Sequence, residues 1–407
     1  MDFSFIELTD AQHAFLSDLN RFLDNNLTRG VYERQRLSGD NFDEEFHRAL
    51  GSKGWIMPGW PVTEGGAALD AVCARLLELE LERREAPRAV LPMLRLIWPA
   101  VHKHARPDLA RELKPQVAEG AVRFCLGYTE PDGGSDIAAA KVRAVPDGDD
   151  WIINGAKVFT SNAHSAQYTF LITRTDPVAP KHKGLTMFLA PLSTAGIEVQ
   201  PLQMLGNTRT NIVYFNDARV ADRYRIGAVN QGWSVIHGPL DAEHGGGGTV
   251  SGLDDISVGA SYMRYLQRSL DATLGWARGS TGAEGTRLAD DPALLAQFGM
   301  LATQVEAALC TPGPFGRVKC ADVAIEGSQQ LLSLVGIAGT ITEGQEGAVG
   351  DGVIEFAHRV AQATSIYGGT NEVFRAMIAE HSLGLPRPAY PGRTTLVPRS
   401  GALTPQR

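Results

Sequence analysis

The sequence predicts an α+β chain in three parts: a helical region, a run of strands, then helices again. Three observations predict it. Apolar residues recur at three- and four-residue steps within 7–115. Near 121 the pattern changes to short β-branched and aromatic runs broken by turn clusters. From about 231 the helical period returns. At 407 residues the chain exceeds one small core, since domains cluster at about 100–150 residues. The expected units are 1–120, 121–230 and 231–385, with a tail at 386–407.

In the first region Leu8, Ala11, Phe15, Leu19, Phe22 and Leu23 mark one helical face, and Thr9-Asp10 offers a cap. Residues 69–85 (LDAVCARLLELELERRE) give another amphipathic helix that ends near Pro87. Between them GWIMPGWPVTEGG, 54–66, reads as a loop with aromatic anchors. In the second region AVRFCLG, KVRAV, WIING, AKVFTS, QYTFLITRT, GLTMFLA, GIEVQPL and NIVYFND read as strands, with PDGDD (146–150) as one of the turns. No helical period intervenes, which reads as a β-barrel or sandwich. In the third region 261–278, 291–310 and 315–336 are long enough for helices. A Gly/Glu-rich loop follows at 339–352, then a last helix through NEVFRAMIAEHSLG, 371–384. The tail after Leu385 holds five prolines in 22 residues and has no period, so an extended or disordered arm is expected.

Composition narrows the function. Apolar residues make up 43% and charged residues 21%, which excludes wholesale disorder. No run approaches the ~18 apolar residues of a membrane span. The start, MDFSFIELTD, carries acids where a secretory signal needs base, so a cytoplasmic protein is expected. A net charge of -8 shows no basic nucleic-acid footprint. Cys73, Cys125, Cys310 and Cys320 form no C-x-x-C pair, so reduced thiols are expected, with no zinc ribbon and no metal site.

Several motifs fail. Neither G-x-G-x-x-G nor G-x-x-x-x-G-K-[ST] occurs, so a nucleotide must bind without the Rossmann fingerprint or the P-loop. H-E-x-x-H is absent too. His244 followed by Gly245, Gly246 and Gly247 looks like an esterase oxyanion loop, but no G-x-S-x-G nucleophile elbow accompanies it. Gly245 to Gly248 is either a helix start or break, or backbone close to a bound group. Two richer segments stand out. YTEPDGGSD, 128–136, follows a strand and combines hydroxyls with turn glycines. It is either an ordinary loop or an anion-binding nest. IYGGTNEVFR, 366–375, places Thr370 or Asn371 to cap a helix. It is either a bare capped helix or a phosphate or carbonyl site.

Taken together and in order, GWPVTEGG, YTEPDGGSD, WIINGAKVFTSNA and IYGGTNEVFRAMIAE resemble the acyl-CoA dehydrogenase family over about 5–385. The resemblance implies an N-terminal helical domain, a central β-barrel and a C-terminal four-helix bundle. It implies FAD as cofactor, an acyl-CoA substrate converted to its 2-enoyl form, and an electron-transfer flavoprotein as acceptor. It assigns Tyr128 and Thr129 to the flavin and Ser135 to both flavin and acyl-CoA. Phe159 and Ser161 stand on the flavin-covering strand, where many members carry Trp and Thr. Tyr367, Gly368, Gly369 and Thr370 fall in the turn near flavin and thioester, and Glu372 follows.

The base needs its own argument. Many members carry the catalytic Glu directly after the Tyr of this turn, where this chain has Gly368. A branch resembling the isovaleryl and long-chain enzymes has Gly there and draws its Glu from an earlier helix. Asp241-Ala242-Glu243-His244 matches that branch's acid, spacer, Glu, Arg pattern, with His for Arg. The resemblance therefore implies Glu243 as base, with Asp241, His244 and Tyr367 beside the substrate. It implies the Gly368 backbone N–H as a thioester donor, together with the flavin ribityl hydroxyl.

Departures from the pattern also carry information. Arg278 matches the family Arg that contacts a neighbouring subunit's flavin, but GSTGAEGT replaces the aromatic turn after it. SQQLLSLVGIAG, 328–339, stands where the family has Gln and Gly-Gly-x-Gly. The 339–352 insertion and the LGLPR ending resemble bacterial members acting on steroid or other bulky CoA esters. Some of those pair two different subunits. The expected assembly is thus a homodimer or homotetramer, or a heterotetramer with a paralogue. Two other readings stay open: a non-catalytic or half-site partner subunit, and a flavin monooxygenase on the same fold.

Overall fold

Six helices open the chain: α1 (Asp10–Asn26), α2 (Arg29–Ser38), α3 (Glu44–Ser52), α4 (Ala71–Arg83), α5 (Val90–His104) and α6 (Pro107–Ala118). This is a computed structural model, and it describes residues 7–39, 41–88, 90–206, 208–243, 259–282 and 285–386. Caps set the helix starts. Thr9 and Gln12 close a capping box on α1, and Asp43 and Asp70 cap α3 and α4. The expected cap at Thr9-Asp10 is therefore Thr9. The 54–66 loop buries Trp55, Ile56 and Met57, and the Trp55 ring lies edge-on to Phe22 at 4.9 Å. Its aromatic anchors are thus as the sequence implied.

Eight strands follow: β1 (Phe124–Gly127), β2 (Arg143–Asp147), β3 (Asp150–Lys157), β4 (Tyr168–Arg174), β5 (Leu185–Pro191), β6 (Ile197–Gln203), β7 (Arg209–Ala221) and β8 (Arg225–Ile226). Two details differ from expectation. WIING and the Ala156-Lys157 start of AKVFTS are one strand, β3, continuous through an irregularity between Ile153 and Gly155, and residues 158–161 lie past its end, so Phe159 and Ser161 stand on a turn and not on a strand. Two-residue β8 is too short for any periodic signal.

The strands pair in the order β6-β7-β3-β2-β4-β5-β8, and β1 joins β4 in parallel. β2 also meets β4, at the Arg143–Arg174 end. The two halves of the sheet enclose a core of Cys125, Val142, Trp151, Ile153, Leu171, Phe188, Val213 and Phe215. The other face of β4 and β5 turns Phe170, Ile172, Leu185, Met187 and Leu189 into the helical core of Leu19, Leu23, Leu77, Leu94 and Ile97. β4 and β5 are therefore buried on both faces, which explains their almost unbroken apolar runs. Each such side chain contributes roughly 1.5–3 kcal/mol on burial.

After the sheet come α7 (Gly232–Glu243), α8 (Ala260–Gly279), α9 (Pro292–Leu309), α10 (Gly313–Val335), α11 (Val353–Thr364) and α12 (Asn371–Met377), which ends in a π turn at Ile378–Ser382. Helices α8 to α11 share one core, built on Met263, Leu266, Phe298, Leu301, Cys320, Ala324, Leu331 and Ile354. α7 is different: it buries Val235 and Ile236 in the N-terminal core. The sequence reading passed over α11. Its buried Val353, Ile354, Ala357, Ala361 and Thr364 do keep a helical spacing. Asp351 (φ 55°) and Gly352 (φ 80°) start it abruptly out of the 339–352 loop.

α11 fastens the bundle to the sheet. Arg359 grips Glu355 through two bonds (2.6 and 2.8 Å) and donates to the Leu205 carbonyl at 2.8 Å. Gly206 lies so close that a Cβ there would stand 2.7 Å from Val360.

Candidate active site

The 128–136 loop leaves β1 and is held by a buried charge pair. Lys157, fully buried, donates to Glu130 Oε1 at 2.7 Å and to the Tyr128 carbonyl at 3.1 Å. Glu130 also accepts from the N–H groups of Lys141 (2.7 Å) and Val142 (2.9 Å). Glu130 and Gly133 exchange backbone bonds at 3.0 Å, which closes a tight turn. Burial pulls the Lys157 ammonium down to about 8, with Glu130 opposing that shift. The clamp leaves the N–H groups of Gly134, Ser135 and Asp136 unbonded among the described residues. Tyr128 is buried, Thr129 is half-buried and Ser135 is exposed.

A second segment lies against the first. The Val158 N–H donates to the Thr129 carbonyl at 2.9 Å. The next residue, Phe159, sits at φ 57°, a strained conformation for an aromatic side chain, and is 54% exposed. Asn211 holds the turn through Thr160, with bonds of 2.9 Å in both directions. Thr160 Oγ1 is buried without a hydrogen-bond partner among the described residues. Ser161 is exposed, and its hydroxyl lies 3.3 Å from Thr210 Oγ1. An exposed aromatic face, four hydroxyls (Thr129, Ser135, Thr160, Ser161) and free N–H donors suit a flat heterocycle with a polar edge.

The third segment is the 366–370 turn between α11 and α12. Gly368 (φ 64°) and Gly369 (φ 89°) both take the left-handed conformation that glycine tolerates. Thr370, not Asn371, caps α12, accepting from Val373 N at 3.2 Å. Asn371 instead donates to Asp322 at 2.8 Å and accepts from Arg317 at 3.2 Å. Arg317 is fully buried and donates to the carbonyls of Thr364 (2.7 Å), Tyr367 (2.8 Å) and Gly369 (3.0 Å). Tyr367 packs edge-on to Tyr262 at 5.3 Å while its ring stays half exposed. Loss of water around its hydroxyl pushes that phenol well above its usual range. The Gly368 N–H has no partner among the described residues.

The first two segments form one surface through Lys157, Val158 and Thr129. The third is linked to them through α11: Ser161 touches Thr210 at the start of β7, and the turn before β7 carries Leu205 and Gly206, where Arg359 and Val360 of α11 dock. Asp241 and Glu243 are the last turn of α7. Their side chains, His244, Gly245 to Gly248 and the tail from 387 lie outside the described residues.

Arg278 is elsewhere. It is exposed in the last turn of α8, more than four helical turns beyond Tyr262, or about 24 Å along the axis. Within one chain it does not join the 366–370 turn. Glu372 points into solvent, 3.8 Å from Arg375. Thr370 spends its hydroxyl on the cap.

The sequence reading missed the Glu130–Lys157 pair and Arg317. A signal existed for Arg317. It falls on the same α10 face as the buried Cys320, Ala321 and Ala324, where an arginine must find partners.

Comparison with known proteins is consistent across the chain. Residues 9–121 match the family model "Acyl-CoA dehydrogenase, N-terminal domain", and 125–218 match "Acyl-CoA dehydrogenase, middle domain". The chain is similar to the acyl-CoA dehydrogenase IpdE1 of Mycolicibacterium smegmatis, at 30% identity over 92% of this chain and 97% of that protein. Among solved structures it resembles the Tcur3481-Tcur3483 steroid ACAD, at 27% identity and a TM-score of 0.78, covering 95% of this chain and 100% of that one. It also resembles the ChsE4-ChsE5 complex from Mycobacterium tuberculosis, at 28% identity and a TM-score of 0.76 over the same shares.

Proposed function

The chain belongs to the acyl-CoA dehydrogenase family, and from that premise we propose that it dehydrogenates a bulky, steroid-like acyl-CoA at the α,β bond, with Glu243 as the base. It is an oxidoreductase acting on CH–CH groups, and its cofactor is FAD. The aromatic face of Phe159, the hydroxyls of Thr129, Ser135 and Ser161 and the unpartnered Thr160 Oγ1 fit that group. When bound, FAD supplies the acceptor for the β-hydride.

The protein's own part is proton chemistry. A carboxylate is too weak a base for an α-C–H unless the thioester carbonyl is polarised as charge develops on it. The observation that carries the proposal is the Gly368 N–H: a free donor on a left-handed turn beside the half-exposed Tyr367. The missing side chain at Gly368 removes the base that many family members place there. Glu243, at the end of α7, takes over that role in this proposal, with Asp241 and His244 beside the substrate. Glu243→Gln tests it: flavin and ester binding should persist while flavin reduction is lost.

The bulky-ester preference rests on the likeness to a protein named as a steroid ACAD. Electrons are proposed to leave to an electron-transfer flavoprotein. Cytoplasmic location is proposed from the four free thiols; no helix among the described residues is long and apolar enough to cross a membrane.

A second reading has its own observation. Arg278 is exposed and remote from the turn, and Ile337, in the segment that replaces Gly-Gly-x-Gly, is 85% exposed. Both fit a heteromeric pair in which this chain completes, or is completed by, a paralogue. A lone chain that purifies colourless but turns yellow when co-expressed with that paralogue favours this reading.

A further inference from the structure

We infer that Arg317 is a positioning residue that aims the Gly368 N–H at the substrate's thioester carbonyl. The inference rests on the dehydrogenase reading above.

The Tyr367–Gly368 peptide is trans, so its C=O and N–H point in opposite directions. Arg317 Nη2 holds the Tyr367 carbonyl at 2.8 Å inside the bundle. The Gly368 N–H on the same peptide must therefore face away from the guanidinium. The same Nη2 holds the Gly369 carbonyl at 3.0 Å, which fixes the peptide after Gly369 in the same sense. Both ends of the Gly368–Gly369 pair are thus tied down.

Fixing is needed because two glycines in succession flip their peptides at little steric cost. A flipped Tyr367–Gly368 peptide would offer a carbonyl, not a donor, to the developing enolate. It would also turn the Tyr367 carbonyl dipole away from a fully buried guanidinium, whose Nη2 shares its two hydrogens among the carbonyls of Thr364, Tyr367 and Gly369 and whose Nε has no partner among the described residues. No carboxylate pairs with Arg317 directly among the described residues. Its charge is met by three carbonyls, by the Asn371 amide oxygen, and by the rings of Tyr262 (4.9 Å) and Phe374 (5.2 Å). Two of these carbonyls, those of Tyr367 and Gly369, belong to the turn itself, and Thr364 and Asn371 flank it.

The test uses the full chain loaded with FAD and two variants, Arg317→Lys and Asn371→Ala. The probe is a CoA thioester without β-hydrogens, carrying ¹³C at the carbonyl, read by infrared difference spectroscopy. Steady-state turnover is measured with a reactive ester. In the unaltered protein the bound carbonyl stretch should fall below its value in solution. Arg317→Lys should lose most of that shift and about 10²-fold in kcat, the scale of one lost oxyanion donor, with KM nearly unchanged. Asn371→Ala should lose part of both. Full carbonyl shift and full kcat in a folded Arg317→Lys protein overturn the inference. So does lost kcat with an unchanged stretch, which marks a merely structural arginine. If Arg317→Lys does not fold, Asn371→Ala decides: a partial loss of shift supports the inference, and unaltered values overturn it. If the unaltered protein neither shifts any ester's carbonyl nor reduces its flavin, the dehydrogenase reading itself falls, and this inference with it.

Discussion

Lys157 Nζ lies 2.7 Å from Glu130 Oε1, and the lysine is fully buried. This pair spans the two strand-end segments that carry the proposed flavin contacts. Removing one charge leaves the other buried without its partner, which costs about 3–5 kcal/mol. Lys157→Met should therefore lower stability by about 3 kcal/mol in denaturant melts and weaken flavin binding in fluorescence titrations. Wild-type flavin affinity in that variant would show that the pair does not position the loop.

A second prediction concerns Phe159. Its backbone is strained at φ 57°, and its ring is mostly exposed, so the ring contributes little packing. Phe159→Gly should relieve about 1 kcal/mol of strain. The variant should melt at or above the wild-type temperature and yet bind flavin more weakly. A marked loss of stability with intact flavin affinity would assign the ring to packing instead.

The third prediction is a pH dependence. His47 is fully buried, neither ring nitrogen has a hydrogen-bond partner among the described residues, and its imidazolium is disfavoured down to about 4. Burial is the main cause. Arg123 and Arg48 add to it, while Glu44 opposes. The unfolded chain, with an ordinary imidazole near 6.5, binds protons first as pH falls. Stability is therefore fully present above about 6.5 and is lost progressively from there down to about 4, by about 3 kcal/mol at most. His47→Leu should flatten the stability profile in that window. An equally steep profile in the variant would place the dependence on other groups.

α1 and α4 were legible because helical burial has a period, as at Leu19 and Leu23, and β4 and β5 were legible as unbroken apolar runs between turn clusters; α2, α3, α5 and α6 were not singled out. β8 was not legible, since two residues carry no period. α11 has a helical pattern, but it follows directly on a Gly/Glu-rich loop with two left-handed residues. The site was legible as segments, because turn glycines and hydroxyls mark a loop that approaches a ligand. What holds those segments was not. Lys157 and Arg317 act through carbonyls and a carboxylate far away in sequence, at separations that no local pattern encodes.

The most direct test of the central claim is an anaerobic titration of the flavin-loaded protein and its Glu243→Gln variant with a panel of CoA esters, followed at the oxidised-flavin absorbance. The unaltered protein should bleach with at least one bulky ester, and the variant should bind that ester without bleaching. Bleaching of the variant at the wild-type rate would contradict Glu243 as the base, and an unaltered, flavin-loaded protein that bleaches with no ester would contradict the dehydrogenase reading.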